Sequence, residues 1–300
     1  MATTVSPHPN RSRPRALATT SVSHRRSKAR ERLSTALVVA LLMAVSAFVL
    51  LPVVWMISAS FRTQGDLVGN PGSLLPQVFT LENYANVWQR IPFGRQLLNT
   101  VAFASSVTAI SLLIDAMAAY ALARFNFPGR EVAFILIIVT LMIPVQVTFI
   151  PLYQLLAQLG WINTFHGLVV PRIADAFGIF FLRQFFLALP KDLEDAARVD
   201  GAGEVTIFAR IMLPLATPAL LTVGMFTLLA NWNDLLWPLL VTTDAQMQTL
   251  PAGLALFKGQ HSSDYGMLMA GSLLALLPMI VAFFFVQRRF IEGIATTGMK

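Results

Sequence analysis

Residues 33–60 read LSTALVVALLMAVSAFVLLPVVWMISAS, without a single Asp, Glu, Lys or Arg, between Glu31 and Arg32 on one side and Arg62 on the other. A helix of about 20 apolar residues crosses the hydrocarbon core of a bilayer, so this run is long enough to span it. It is too long for the apolar region of a cleavable signal, about 7 to 15 residues. Pro52 is expected to kink it. Five further runs of this kind follow. The second lies between Arg95 and Arg124 and carries Asp115; the third, VAFILIIVTLMIPVQVTFIPLY after Glu131, is interrupted by Pro144 and Pro151. The fourth, about Leu168 to Leu189, carries Arg172, Asp175 and Arg183; the fifth, Ile211 to Thr242, holds Asp234; the sixth, Tyr265 to Val286, ends at Gln287-Arg288-Arg289. The expected fold is all-α: a polytopic membrane protein with six transmembrane helices.

Composition supports this. Of 300 residues, 56% are hydrophobic and 12% charged, about half the charge density of soluble chains, so much of the surface faces lipid. The net charge of +7 would raise the question of nucleic acid in a soluble protein, but here topology explains it. With the N-terminus inside, the 22 Lys+Arg all fall on the inner side except Arg62, Arg90, Arg95, Arg172 and Lys258. The positive-inside rule therefore gives N-in and C-in. Residues 1–32 are rich in Ser, Thr, Pro and Arg and too polar to bury a core; they are expected to form a disordered basic tail near anionic headgroups, ahead of a membrane domain over 33–300. The chain has no cysteine, which excludes disulfides, thiolate metal sites and a cysteine nucleophile. Its four histidines are scattered without ligand spacing, and no GxxxxGK[ST] phosphate loop appears, so ATP is not hydrolysed on this chain. No span pairs two catalytic groups at helical spacing, which argues against an enzyme.

Between the fourth and fifth spans, on the inner side, residues 189–214 read LPKDLEDAARVDGAGEVTIFARIMLP. The pattern predicts a short helix over Asp192–Val199, opened by Pro190 and acidic residues that suit a helix N-terminus. Gly201 tolerates the positive φ of a helix stop, and a second helical stretch from Glu204 leads into the membrane at Pro214. Ala196 and Ala197 would let the short helix approach another protein closely, with Asp195, Arg198 and Asp200 as a charged rim.

Asp195-Ala196-Ala197, three residues, Gly201, nine residues, then Ile211-Met212-Leu213-Pro214 resembles the E-A-A loop of permease subunits of binding-protein-dependent ABC importers, with Asp195 in place of the usual Glu. Further segments are similar to the carbohydrate branch of the maltose and multiple-sugar type: Met142-Ile143-Pro144-Val145-Gln146, Ile150-Pro151-Leu152, Phe177-Gly178-Ile179-Phe180, Arg183-Gln184-Phe185-Phe186, Trp232-Asn233-Asp234, Pro238-Leu239 and Gln287-Arg288-Arg289. The likeness covers roughly Leu33 to Lys300. It implies the type I ABC-importer permease fold in a bacterial inner membrane, a second permease subunit, a cytoplasmic ATPase dimer and an extracytoplasmic sugar-binding protein. It implies no cofactor in this chain, with ATP and Mg on the ATPase. The residues it marks for ATPase coupling are Glu194, Asp195, Ala196, Ala197, Asp200, Gly201, Ile211, Leu213 and Pro214.

A solute pathway is expected where polar groups sit inside spans, because an intramembrane acid costs about 2.5–3.5 kcal/mol and must face a cavity or a partner. Asp234 beside Trp232, Asn233 and Trp237 combines aromatic platforms with polar groups able to hold sugar hydroxyls; the same residues could instead satisfy helix backbones near Pro238. Gln146, between Pro144 and Pro151, stands where broken helices line water-filled paths or plug them. Asp115 has no base or second acid in its span and reads as structural. Arg172 and Asp175, three apart, read as a self-neutralising pair. Two alternatives stay in view: an importer permease for another solute such as glycerol phosphate, and a self-sufficient secondary transporter, which would transport alone.

Overall fold

The computed structural model describes residues 21–258 and 264–297, with side chains over 34–258, 264–285 and at 287. The chain divides after Trp55 into two units, residues 1–55 and 56–300. Helix α1 (Ser21–Ser60) contains Pro52 and carries the charge-free run Ser34–Ser60. It begins at Ser21, inside the stretch that composition assigns to the tail; residues 1–20 lie outside the described residues.

Within the second unit, α2 (Gln64–Gly69) and α3 (Glu82–Arg90) build the outer loop. Buried Arg62 organises it: Nε and Nη2 donate to the two Asp66 carboxylate oxygens at 2.8 Å, and the guanidinium also reaches the carbonyls of Ser73 and Asn70 at 2.9 and 2.8 Å. The bidentate cation holds the Asp66 carboxyl down at about 2. Asn83 closes the loop by donating to the carbonyls of Ser60 and Arg62, both at 2.8 Å.

Helix α4 (Phe93–Arg124) is the central span. Its buried stripe of Ala104, Ser111, Ala116, Ala119 and Ala123 lets backbones approach closely, as small residues do at helix contacts in lipid; α8 and α12 pack on it. The third span is α5 (Arg130–Thr140), a 3-10 turn at Val145–Thr148 and α6 (Phe149–Gln158), its halves bent by 92°. Pro144 accounts for the bend: it lacks an N–H and drives Ile143 from helical geometry. The fourth span, Phe165–Ala188, comprises α7 (Phe165–Val169), a 3-10 turn Val170–Arg172 and α8 (Ala176–Ala188). Asp175 caps α8 by accepting from the N–H groups of Phe177 and Gly178 at 3.4 and 3.3 Å. Leu189, held extended by Pro190, ends it.

Helix α9 (Asp192–Val199) follows, then α10 (Glu204–Ile207), a π-helical turn Phe208–Met212, α11 (Leu213–Leu215) and α12 (Thr217–Trp232). The expected fifth span over Ile211–Thr242 is corrected here. Glu204–Leu215 and Thr217–Trp232 meet at 76°, and the helix stops at Trp232. Pro214 cannot donate to the carbonyl of Arg210, so the turn widens to π; Pro218 cannot donate to the carbonyl of Pro214, which accepts from Thr217 Oγ1 at 2.6 Å instead.

Helices α13 (Leu236–Val241) and α14 (Leu250–Leu254) shape the last outer loop. It is tied to the start of α4 by Gln96, Asn99 and Thr100, which bond the backbone of Ala245, Gln246, Gln248 and Leu250 at 2.7–3.1 Å. Helix α15 (Tyr265–Thr297) closes the unit. Among the described residues no strand forms beyond an isolated bridge between Arg62 and Phe79. Among the described residues four helices are long and apolar enough to cross a membrane, or up to six if each bent pair is one span.

Candidate functional site: the α9 platform and the outer cavities

Helix α9 ends as its sequence requires. Gly201 adopts φ +81°; its N–H donates to the Arg198 carbonyl at 3.0 Å, and Ala202 N–H donates to the Ala197 carbonyl at 2.9 Å. These are the two bonds of a Schellman stop. No atom lies within 4 Å of the place a Cβ would take, so the backbone conformation alone calls for glycine.

The inward face of α9 is fixed by a buried ion pair and a packed core. Arg124 Nε, at the end of α4, lies 2.8 Å from Glu194 Oε1, with the two side chains 2% and 3% exposed. Arg124 Nη2 also donates to the Leu189 carbonyl at 2.8 Å. Ala197 lies in a core with Tyr120, Leu182, Phe186, Ile207 and Met212, with Ile211 and Leu213 packed against its edge. The expectation that both alanines face a partner is therefore corrected. Ala197 and Glu194 face inward and orient the helix, whereas Asp195, Ala196 and Asp200 are exposed, as are Leu193 and Val199, the latter at 88%. Pro214 is exposed as well. Arg198 bridges outward to Asp195 and Glu204, both at 2.8 Å, and its bond to Glu204 raises an already high pKa further. The small rigid platform thus presents two apolar side chains within a charged rim. Sequence alone missed Arg124, because its partner stands far along the chain on another element.

The five pathway residues separate. Trp237 is 1% exposed, packs with Phe103, Leu156 and Val241, and spends its indole N–H on the Leu168 carbonyl at 3.1 Å; it is a core residue, which corrects its place as a pathway wall. Trp232 and Asn233 line a cavity of about 390 Å³ with Lys258 and Ser272, though Trp232 is itself largely buried. Asn233 Nδ2 donates to the Leu229 carbonyl at 2.9 Å. Asp234 forms an ion pair with Arg172 and accepts from Trp237 N–H at 3.2 Å. The Arg172–Asp175 pairing expected from spacing is thus replaced: Arg172 crosses to Asp234, and the Asp175 carboxylate caps α8. Gln146 is exposed on the turn that breaks the third span. Asp115, fully buried, accepts from Asp175 N–H at 2.9 Å and Ser111 Oγ at 3.2 Å, a structural role. A larger cavity of about 500 Å³ lies among Val145, Arg172, Phe177, Phe226 and Asn231. Among the described residues no cluster able to hold a metal ion occurs.

A bundle of membrane helices broken at prolines, with a short capped helix displayed between two spans, defines a polytopic transport permease. Residues 115–294 match the family model described as the binding-protein-dependent transport system inner membrane component, and the chain belongs to that family. Among similar proteins, the arabinooligosaccharides transport system permease protein AraQ of Halalkalibacterium halodurans is 38% identical, over 83% of this chain and 90% of that protein. The diacetylchitobiose uptake system permease protein NgcG of Streptomyces coelicolor is 36% identical over 86% of each. The sn-glycerol-3-phosphate transport system permease protein UgpE of Escherichia coli is 34% identical, over 83% of this chain and 91% of that protein. In fold, a chain of the crystal structure of a bacterial ABC transporter involved in the import of the acidic polysaccharide alginate superposes with TM-score 0.73 at 23% identity, covering 87% of this chain and 98% of that one. The chain is a membrane-embedded transport permease, not an enzyme.

Proposed function

We propose that this chain is a permease subunit through which a sugar or oligosaccharide crosses the bacterial inner membrane, driven by ATP hydrolysis on separate subunits that dock on α9. The observation that carries the reading is the α9 platform. An eight-residue helix is fixed by its Schellman stop and the Arg124–Glu194 pair yet leaves Leu193, Ala196 and Val199 exposed. Such a rigid element can pass a partner's motion to α4 and α12 without absorbing it, as an interface with two discrete arrangements requires. Asp195, Ala196 and Asp200 would meet the ATPase; Glu194, Ala197, Gly201, Ile211, Leu213 and Pro214 would hold the helix and its return to the membrane. The assembly would comprise this chain, a second permease, two ATPase subunits holding ATP and Mg, and an extracytoplasmic binding protein.

The carbohydrate reading is favoured by the relatives named for oligosaccharides. Because the chain has no cysteine, Val199→Cys supplies a single thiol on the outward face. In the assembled complex it is expected to cross-link to the ATPase through a short thiol-reactive linker, and Ala197→Cys, 8% exposed, is not. Failure of Val199→Cys, with cross-linking instead from Asn126→Cys in the first inner loop, would refute the docking assignment.

A further inference from the structure

We propose that Arg198 is a positioning residue for energy coupling: it clasps Glu204 across residues 200–203, so that α9 and α10 move as one body and a displacement of α9 reaches α12. This rests on the reading of α9 as the ATPase dock and adds the route and the residue. The connection between the two helices is Asp200-Gly201-Ala202-Gly203, a weak mechanical link. Glycine has the widest backbone freedom of any residue, and no atom lies within 4 Å of the place a Cβ would take at Gly201 or Gly203. Of the four side chains, Ala202 alone packs at the edge of the core. Left to itself, such a link would bend when α9 is pushed and absorb the motion.

The Arg198 side chain spans it. Its Nε donates to Glu204 Oε1 at 2.8 Å and its Nη2 to Glu204 Oε2 at 3.3 Å, a two-point grip that fixes the plane of the carboxylate as well as its distance. Nη1 donates to Asp195 Oδ1 at 2.8 Å, and Nη2 lies 3.5 Å from Glu194 Oε2. Glu194 is in turn paired with Arg124 at the end of α4. Charge partners therefore run unbroken, Arg124–Glu194–Arg198–Glu204, from α4 through α9 to α10. Among the described residues no other hydrogen bond or ion pair joins α9 to α10. Glu204 is the first residue of α10, which continues through the π-helical turn and α11 into α12. An isolated exposed ion pair contributes little, whereas a bidentate pair within a network holds geometry; both conditions are met here. Lysine would keep the charge and lose the fork.

The test counts solute moved per ATP hydrolysed by assembled importers in proteoliposomes, with ATPase retention measured on the same samples. Glu204→Gln and Arg198→Gln are each expected to lower that ratio about threefold, within the range an exposed ion pair commands. The double variant should be no worse than either alone, since both remove one clasp. Arg198→Lys should recover little of the loss. Because the chain has no cysteine, Arg198→Cys with Glu204→Cys in otherwise thiol-free subunits can be bridged by a short bifunctional thiol-reactive linker. The bridge should restore solute moved per ATP, and neither single variant should respond to the linker. A side chain that only stabilises the loop would lower assembly and leave the ratio of assembled complexes unchanged. Wild-type ratios in both Gln variants, additive losses in the double variant, or full activity in Arg198→Lys would overturn the clasp. The docking reading is tested apart from it: normal cross-linking of Val199→Cys to the ATPase together with wild-type ratios in the Gln variants removes the clasp alone, whereas failure of that cross-link removes both.

Discussion

Replacing Gly201 perturbs one backbone conformation and nothing else nearby. Its φ of +81° lies where an L side chain costs roughly 1–2 kcal/mol, and a Cβ there meets no atom within 4 Å. Gly201→Ala should therefore cost that conformational amount with no clash, and Gly201→Val more, about 1–3 kcal/mol, because a β-branched side chain resists the left-handed region. Gly201→Asn should sit nearest the wild type, since asparagine enters this region more readily. The strain falls on the two bonds that end α9, from Gly201 N–H to Arg198 and from Ala202 N–H to Ala197. The last turn would loosen and misplace Val199 and Asp200. In the purified complex, retention of the ATPase and the amount of solute moved per ATP should fall in the order Gly, Asn, Ala, Val while all six spans still insert. Wild-type retention and coupling in Gly201→Val would refute the reasoning.

Three further outcomes are expected. Glu194→Ala strands Arg124 in a site 2% exposed and should destabilise the platform by about 3–5 kcal/mol, read as lower thermal stability in detergent; Glu194→Gln should cost less. Gly178→Ala places a Cβ 2.5 Å from Asp115 Oδ2 and should cost about 1–3 kcal/mol, whereas Gly203→Ala, with open space around it, should be near neutral in the same melt. The Asp66 carboxyl is depressed to about 2, so the ionised form favours the folded outer loop. That contribution is complete above the ordinary carboxyl pKa of about 3.9 and is lost as pH falls through about 2. Amide-exchange protection over residues 61–84, taken relative to the intrinsic exchange rate at each pH, should hold at pH 4 and fall toward pH 2, and Asp66→Asn should remove this loss of protection.

The spans were legible because lipid demands uninterrupted apolar runs, and α9 was legible to the residue because proline, acidic first turn and glycine stop punctuate it. What escaped were pairings between distant elements. Spacing suggested that Arg172 would meet Asp175, three residues on, but Asp175 lies at the cap of α8, where its carboxylate is used by two backbone N–H groups, and Arg172 reaches Asp234 instead. Hydropathy extended the fifth span through Trp237 because Leu236–Val241 is apolar; its apolarity serves the core beneath the outer loop. Alanines at 196 and 197 are equally small, and only the phase of α9 against α4 and α8 shows that one faces inward. Arg124, the buried partner of Glu194, sits within a basic pattern that topology explains, so no local signal set it apart.

The most direct measurement is ATP-driven uptake into proteoliposomes holding this chain and its partner permease, with the ATPase and the binding protein each added or omitted. Oligosaccharide is expected to accumulate only when all components and ATP are present, and to stop when the ATPase alone is left out. Accumulation by this chain without the ATPase would contradict the account and make it a self-sufficient carrier.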